Sequence, residues 1–329
     1  MLLSLRRHQT QTRPDTYVTE TLSFSCGGLP PNVHSWYNIK YMGGKSSFLH
    51  WMQNPALLSE PWRKLPENDQ EILEFIKSYK PRNDRAGHLR ILLHGPVGAG
   101  KSSFINSVES VVLGRISGQV MTAAASESCF TTKYKTFRIY KDENKTHCSF
   151  VFNDMMGLEP QKQGVPEEDL KLALRGHIAE GYKFIPGRPL MEEDPFYNKH
   201  PSLDNKIHVL VSVVSATTLN IINDEVVEKM REVRLEASRL EMPQLTIITH
   251  VDEACSEVKK DIKNIYKSTY LKNLVERFHQ VLGIPLNCIF LVKNYSSEVE
   301  TSSEMDVQIL QPLKQMILFG EDFLKDQED

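Results

Sequence analysis

From residue 88 onward the chain alternates short apolar runs with stretches in which apolar residues recur every three or four positions. The runs, near 89–94, 134–140, 148–153, 207–214, 244–249 and 288–293, predict buried strands. The periodic stretches, near 101–113, 166–181, 223–241, 257–282 and 304–325, predict helices; in the first of them Phe104, Ile105, Val108, Val111 and Val112 form one stripe. Strands alternating with helices give βα units, hence an α/β fold with a mainly parallel sheet and helices on both faces. Ligands of such sheets lie beyond the carboxyl ends of the strands, so the residues that follow each strand are the ones to inspect.

The segment before residue 88 reads differently. Residues 1–41 show no sustained period, and a disordered extension through residue 49 is expected. Residues 50–87 bring tryptophans and prolines and then an amphipathic helix with Ile72, Leu73, Phe75 and Ile76, expected to pack on the domain that occupies 88–329. Met42 to Ser47, "MGGKSS", has the form of an N-myristoylation site. Gly43 is internal, so membrane attachment is expected only if translation begins at Met42; otherwise the stretch is a loop. The long segment from Glu159 to Lys206 is an insert, expected to be a lid or a partner surface.

Composition narrows the class. The 329 residues, 40% hydrophobic and 25% charged, can bury a full core. A net charge of −3 offers no global attraction to nucleic acid, and no direct nucleic-acid binding is expected. The lysines of 257–282 accompany an apolar stripe that includes Ile262, Tyr266, Val275 and Phe278, which reads as a solvated helix face. Five widely spaced cysteines without a C-x-x-C pair favour reduced thiols. No apolar run approaches the ~20 residues of a membrane span, and the N-terminus lacks a secretory core, so a cytoplasmic protein is expected.

The strongest chemical signal is "HLRILLHGPVGAGKSSFINSV", residues 88–108. It contains Gly95-x-x-x-x-Gly100-Lys101-Ser102, the phosphate-binding P-loop, and it has the right context of strand before and helix after. In such a loop the backbone N–H groups of Gly95, Gly98, Ala99, Gly100, Lys101, Ser102 and Ser103 would cradle phosphate. Lys101 would bridge the outer phosphates, Ser102 would place its hydroxyl on Mg²⁺, and the helix N-terminus would add partial positive charge.

Two later strand ends complete the pattern. "NDMMG" supplies Asp154 for the Mg²⁺ shell and Gly157, whose N–H can reach a γ-phosphate. "THVD", residues Thr249 to Asp252, lies where GTPases carry N-K-x-D or T-K-x-D, the aspartate reading the guanine edge. His250 stands where the lysine is expected, which puts guanine specificity in question; Asp252 could also cap the helix after it. The sixth strand ends at Lys293 and Asn294, where GTPases present a base-contacting loop. Between P-loop helix and Mg²⁺ strand, Thr131 is chosen over Thr132 as the threonine that would close over the metal, although both also suit entry into a strand.

Taken together, "GPVGAGKSSFINSV", "DMMGL", "IHVLVSVVSATTL", "LTIITHVD", "LVKNYSSE" and "DVQILQPLKQMILFGEDFL" resemble the interferon-induced protein 44 and 44-like family of GTPase-like proteins. The resemblance covers roughly residues 55–325. It implies a Ras-like P-loop core, GTP or GDP with Mg²⁺ as ligands, and a cytoplasmic, interferon-induced role in immune or antiviral response. Longer family members carry an N-terminal TLDc domain, which residues 1–80 are too short and irregular to hold, so the short form is expected.

Three functions compete at this stage. The first is a guanine-nucleotide switch or slow GTPase. The second is a nucleotide-binding scaffold that self-assembles without useful turnover. A P-loop small-molecule kinase is a remote third, suggested by the spacing of Gly95, Gly98 and Gly100 and by Arg175 and Arg188 as possible clamps, but it has no use for D-M-M-G or T-H-V-D. A Ras-like enzyme orients water with a glutamine directly after the D-x-x-G glycine, and here that residue is Leu158. Slow hydrolysis is therefore expected unless a homodimer or partner supplies a group; Arg175, Arg188 and His177 are candidates within the chain.

Overall fold

The computed structural model describes residues 56–66, 69–117, 132–144, 146–160 and 164–327. The extension over 1–49, the Met42–Ser47 motif and Thr131 lie outside the described residues.

Six strands form one sheet: β1 Leu89–His94, β2 Lys135–Tyr140, β3 His147–Asp154, β4 Val209–Ser215, β5 Gln244–Thr249 and β6 Ile289–Leu291. Their order across the sheet is β2-β3-β1-β4-β5-β6, parallel except for β2, which runs antiparallel to β3. β1 and β4 are buried along their whole length, as a central parallel strand must be when helices cover both faces.

Among the described residues the helices of eight residues or more are α1 Asp69–Ser78, α2 Lys101–Leu113, α3 Glu167–Leu174, α4 Asp224–Arg239, α5 Thr269–Leu282 and α6 Ser303–Lys325. Alternation along each strand assigns its side chains to two cores. Leu89, Ile91 and Leu93 face α1, α2 and α6, where Ile76, Phe104, Ile105 and Leu313 are fully buried. Leu92, Leu210 and Ile248 face α3, α4 and α5 together with the insert. At Gly320 of α6 a Cβ would come within 2.5 Å of Leu89 Cδ1, so α6 lies close against the sheet.

Two predicted helices are shorter than their periodicity suggested. The helix expected over 166–181 ends at Leu174, and at Gly176 the chain turns with φ 82° against the backbone of Asn205. The stretch expected as one helix over 257–282 breaks into Ser256–Lys260, a 3₁₀ turn at Ile262–Asn264 and α5. Asp261 accepts from Lys263 N–H and Ser268 from Leu271 N–H, so these side chains cap new starts within a continuous apolar stripe.

The insert is folded onto the sheet. Tyr134 and Thr132, just before β2, exchange backbone hydrogen bonds with Gly181, Tyr182 and Phe184. Ile178, Tyr182, Phe184 and Leu190 are buried, while Met191 is 59% exposed. The lead-in Leu57–Leu65 runs past α5, and Arg63 donates to the Leu286 and Ile289 carbonyls beside β6.

Candidate functional site

β1 delivers the chain to the carboxyl edge of the sheet, and the next six residues turn back into α2. Gly95, Gly98 and Gly100 all have positive φ, at 142°, 74° and 84°. Gly95 must be glycine for two reasons: its φ is positive, and a Cβ would overlap the backbone carbonyl of Val213. Gly100 is left-handed as well, and there a Cβ would meet Asn294 Nδ2 at 3.0 Å and His250 Cε1 at 3.3 Å. It is the N-cap of α2 and has no side chain to occupy the first-turn N–H groups.

Lys101 lies at the first position of α2, 7% exposed, and its ammonium donates to the Gly95 and Pro96 carbonyls at 3.1 and 3.0 Å. Burial pulls its pKa down, and the nearby Asp154 carboxylate opposes that shift. Register places Asp154 opposite Leu93, at the end of the strand adjoining the P-loop strand. Its Oδ2 accepts from Ser102 Oγ at 2.7 Å and its Oδ1 from Met155 N–H at 2.9 Å.

Ser102 and Asp154 are hard oxygen donors, which suits Mg²⁺. Among the described residues no group of three or more His, Cys, Asp or Glu side chains could cage a metal ion. A Mg²⁺ held here would therefore complete its shell with phosphate and water, its usual arrangement in nucleotide sites. The glycine-lined turn, with a buried ammonium and two oxygen donors at its rim, fits a Mg²⁺–phosphate group.

The D-x-x-G segment is locked to the P-loop. Leu158 N–H donates to the Gly95 carbonyl at 3.0 Å, and a Cβ on Gly157 would stand 2.7 Å from Val97 N and 2.8 Å from Val97 Cα. Leu158 itself is 2% exposed, turned into the core. The position that would carry a water-orienting glutamine thus points away from solvent.

On the other side of the P-loop the β5 and β6 ends converge. Thr249 Oγ1 donates to the Ala99 carbonyl at 2.7 Å, and His250, left-handed at φ 53°, pairs Nδ1 with that same hydroxyl at 2.8 Å. A non-glycine residue in this region is uncommon and marks a constrained site. Asn294 Nδ2 donates to the Gly100 carbonyl at 3.2 Å, while its Oδ1 is buried without a hydrogen-bond partner. Asp252 keeps a 24% exposed side chain. Thr249, His250 and Asn294 therefore gather around Gly100, Asp252 follows two residues after His250 and approaches Lys293, and Ser102, Asp154 and Gly157 stand on the opposite flank. Ser103 lies in the first turn of α2, half-buried.

Sequence reasoning missed four features. His94, the last residue of β1, is fully buried, with Nε2 paired to Ser212 Oγ at 2.8 Å and Nδ1 unpartnered. Desolvation and the Lys101 charge push its pKa down to about 3, so it is neutral. Lys293 Nζ lies 4.0 Å from Asp252 Oδ2, a proximity whose only sequence signal was the strand end "LVKN". Arg175, a candidate for donation across the nucleotide face, is instead paired with Glu236, a 3% exposed carboxylate that Arg239 also contacts. His177 is held by the Asn198 carbonyl and stacks on Tyr197.

The chain matches no protein-family model. It is 33% identical over 255 residues to interferon-induced protein 44 of Mus musculus, covering 78% of this chain and 60% of that protein. It is 32% identical over 265 residues to human interferon-induced protein 44-like, covering 80% of this chain and 58% of that protein. The chain thus spans about three fifths of the length of these relatives. Among solved structures it is similar to a probable GTP-binding protein engB, at 12% identity and TM-score 0.37, covering 72% of this chain and 99% of that one. It is also similar to Toc33 from Arabidopsis thaliana in complex with GDP and Mg²⁺, at 16% identity and TM-score 0.41, covering 80% and 95%. At those scores the structural likeness carries no functional weight. The sequence identity does: over about four fifths of its length, this chain belongs to the interferon-induced protein 44 and 44-like family.

Proposed function

We propose that this chain binds a Mg²⁺–guanine nucleotide and works as a slow, partner-dependent GTPase switch in the interferon-induced immune response, with a cytoplasmic and antiviral role. The observation that carries the binding reading is the Ser102–Asp154 contact of 2.7 Å beside the buried Lys101 ammonium. It supports the reading by setting two oxygen donors that would suit Mg²⁺ near the cation that would hold phosphate. When bound, Mg²⁺ would neutralise charge on the outer phosphates. The chain's own residues would do the rest: Lys101 and the first-turn N–H groups would hold phosphate, Gly157 N–H would reach the γ position, and Asp252 would accept from the base.

Calorimetry with Mg²⁺–GDP tests this directly. Lys101→Ala and Ser102→Ala should each weaken binding at least tenfold, since each removes a charge or ligand that buried phosphate requires. Unchanged affinity in both would overturn the assignment.

A second reading, a nucleotide-loaded scaffold without turnover, is favoured by one observation. Leu158 occupies the water-orienting position with an apolar side chain turned inward. The switch reading expects very low GTP turnover in dilute protein and specific activity that rises with concentration as a second copy supplies a group. No turnover at any concentration would support the scaffold, and fast, concentration-independent turnover would contradict both.

A further inference from the structure

This inference rests on the guanine reading of Asp252 and gives a specific part to the Lys293 side chain, which the sequence placed only at the end of the sixth strand. β5 and β6 are adjacent and parallel, with Ile248 opposite Leu291, so the segments leaving their carboxyl ends run side by side. Asp252 follows β5 and Lys293 follows β6, and the two side chains meet with Nζ 4.0 Å from Oδ2. They are 24% and 23% exposed, so their ends reach solvent beside the P-loop. Lys293 is held from its other side by Glu298 Oε1 at 2.7 Å. Glu298 Oε2 in turn accepts from the backbone N–H groups of Ser296 and Ser297. The loop after β6 thus closes on the lysine, and the next residue, Asn294, ties it to the Gly100 carbonyl.

We propose that Asp252 and Lys293 form one acceptor–donor pair for the guanine edge, Asp252 accepting from N1–H and the N2 amino group and Lys293 donating to O6, with Glu298 as the positioning residue. Guanine presents these donors and this acceptor as neighbours, and O6 and N7 are the atoms that protein cations take. Adenine reverses the pattern: its N6 amino donor would face an ammonium and its unprotonated N1 would face a carboxylate. Each protein group would then give up water without a matching atom on the base in return, which is how a polar site rejects the wrong base. The pair also accounts for His250 at the position of the usual lysine. The His250 ring is taken up by Thr249 and lies against Gly100, and the cation beside the carboxylate comes from β6 instead.

The test compares dissociation constants for Mg²⁺–GDP, Mg²⁺–ADP and Mg²⁺–pyrophosphate in the wild type, Lys293→Ala, Lys293→Arg and Glu298→Gln. Lys293→Ala should cut the GDP-over-ADP preference about tenfold or more and leave pyrophosphate binding unchanged, since a charge-assisted hydrogen bond to the base alone is lost. Lys293→Arg should restore part of that preference, and Glu298→Gln should lose an intermediate share of it. An unchanged preference in Lys293→Ala, or equal losses for all three ligands, would overturn the proposal. Failure of the underlying reading is seen separately: a wild type with no preference for GDP over ADP overturns both, without any substitution.

Discussion

Replacing Gly157 with alanine puts one carbon where the P-loop already stands. The new Cβ would lie 2.5 Å from Val97 Cγ2, 2.7 Å from Val97 N and 2.8 Å from Val97 Cα. The valine methyl could rotate away, but the two backbone atoms cannot. To restore ordinary contact the D-x-x-G segment and the P-loop must part by most of an ångström, which stretches the 3.0 Å bond from Leu158 N–H to the Gly95 carbonyl. Overpacking of this kind costs about 1–3 kcal/mol and a weakened hydrogen bond about 0.5–1.5 kcal/mol. The combined loss, roughly 2–4 kcal/mol, is smaller than the ~5–15 kcal/mol of a typical fold, so the variant should fold. Thermal unfolding should fall by roughly 5–15 °C at ~2–4 °C per kcal/mol. Binding should change unevenly: if Gly157 N–H meets the γ-phosphate, affinity for a non-hydrolysable Mg²⁺–GTP analogue should drop more than affinity for Mg²⁺–GDP. Differential scanning fluorimetry and calorimetry on the same protein read both effects. An unchanged Tm with unchanged affinities would refute the contact and the role derived from it.

Two further outcomes follow from the same geometry. Asp252→Asn should exchange GDP affinity for xanthosine diphosphate affinity, because the amide can donate where the carboxylate could only accept; retained GDP preference in competition binding would remove Asp252 from the base site. The buried histidines set a pH dependence: burial holds His94 at about 3 and His88 and His208 at about 4, all below the free value of 6.5. Between those limits the unfolded chain binds protons that the fold excludes, so their contribution to stability falls as pH drops below 6.5, by up to ~1.4 kcal/mol per pH unit for each. Asp306, pushed up to about 6 by burial, acts in the opposite sense between about 4 and 6 and offsets part of that loss. Imidazole NMR at pH 5 should find His94 still neutral, and a protonated His94 there would contradict its dry environment.

The parts of this molecule legible in sequence are those specified locally. β1, the P-loop and α2 occupy the positions expected because strand, glycine turn and helix stripe are contiguous and each signal reinforces the next. The break between residues 260 and 269 was hidden because the apolar stripe continues across it; what ends the helix is capping by Asp261 and Ser268, side chains that also occur within helices. Longer-range features had no sequence signature. Nothing in "THVD" announces that Lys293 will arrive beside Asp252 from another strand. Nor does Arg175, inside a stretch that reads as helix, announce that it pairs with the buried Glu236 of α4. The site's residue types could be read from the chain, but their pairing is set by sheet order.

The glycine turn, with Ser102 and Asp154 on one flank and Asp252 on the other, is proposed as a guanine-nucleotide site. Calorimetric titration of the nucleotide-stripped full chain with GDP and with ADP, each with and without Mg²⁺, measures it in one experiment. Saturable 1:1 binding of GDP is expected, tightened by Mg²⁺, with affinity at least tenfold above that for ADP. Equal affinity for the two bases would contradict the base site, and no binding of either would contradict a nucleotide site of any kind in this turn.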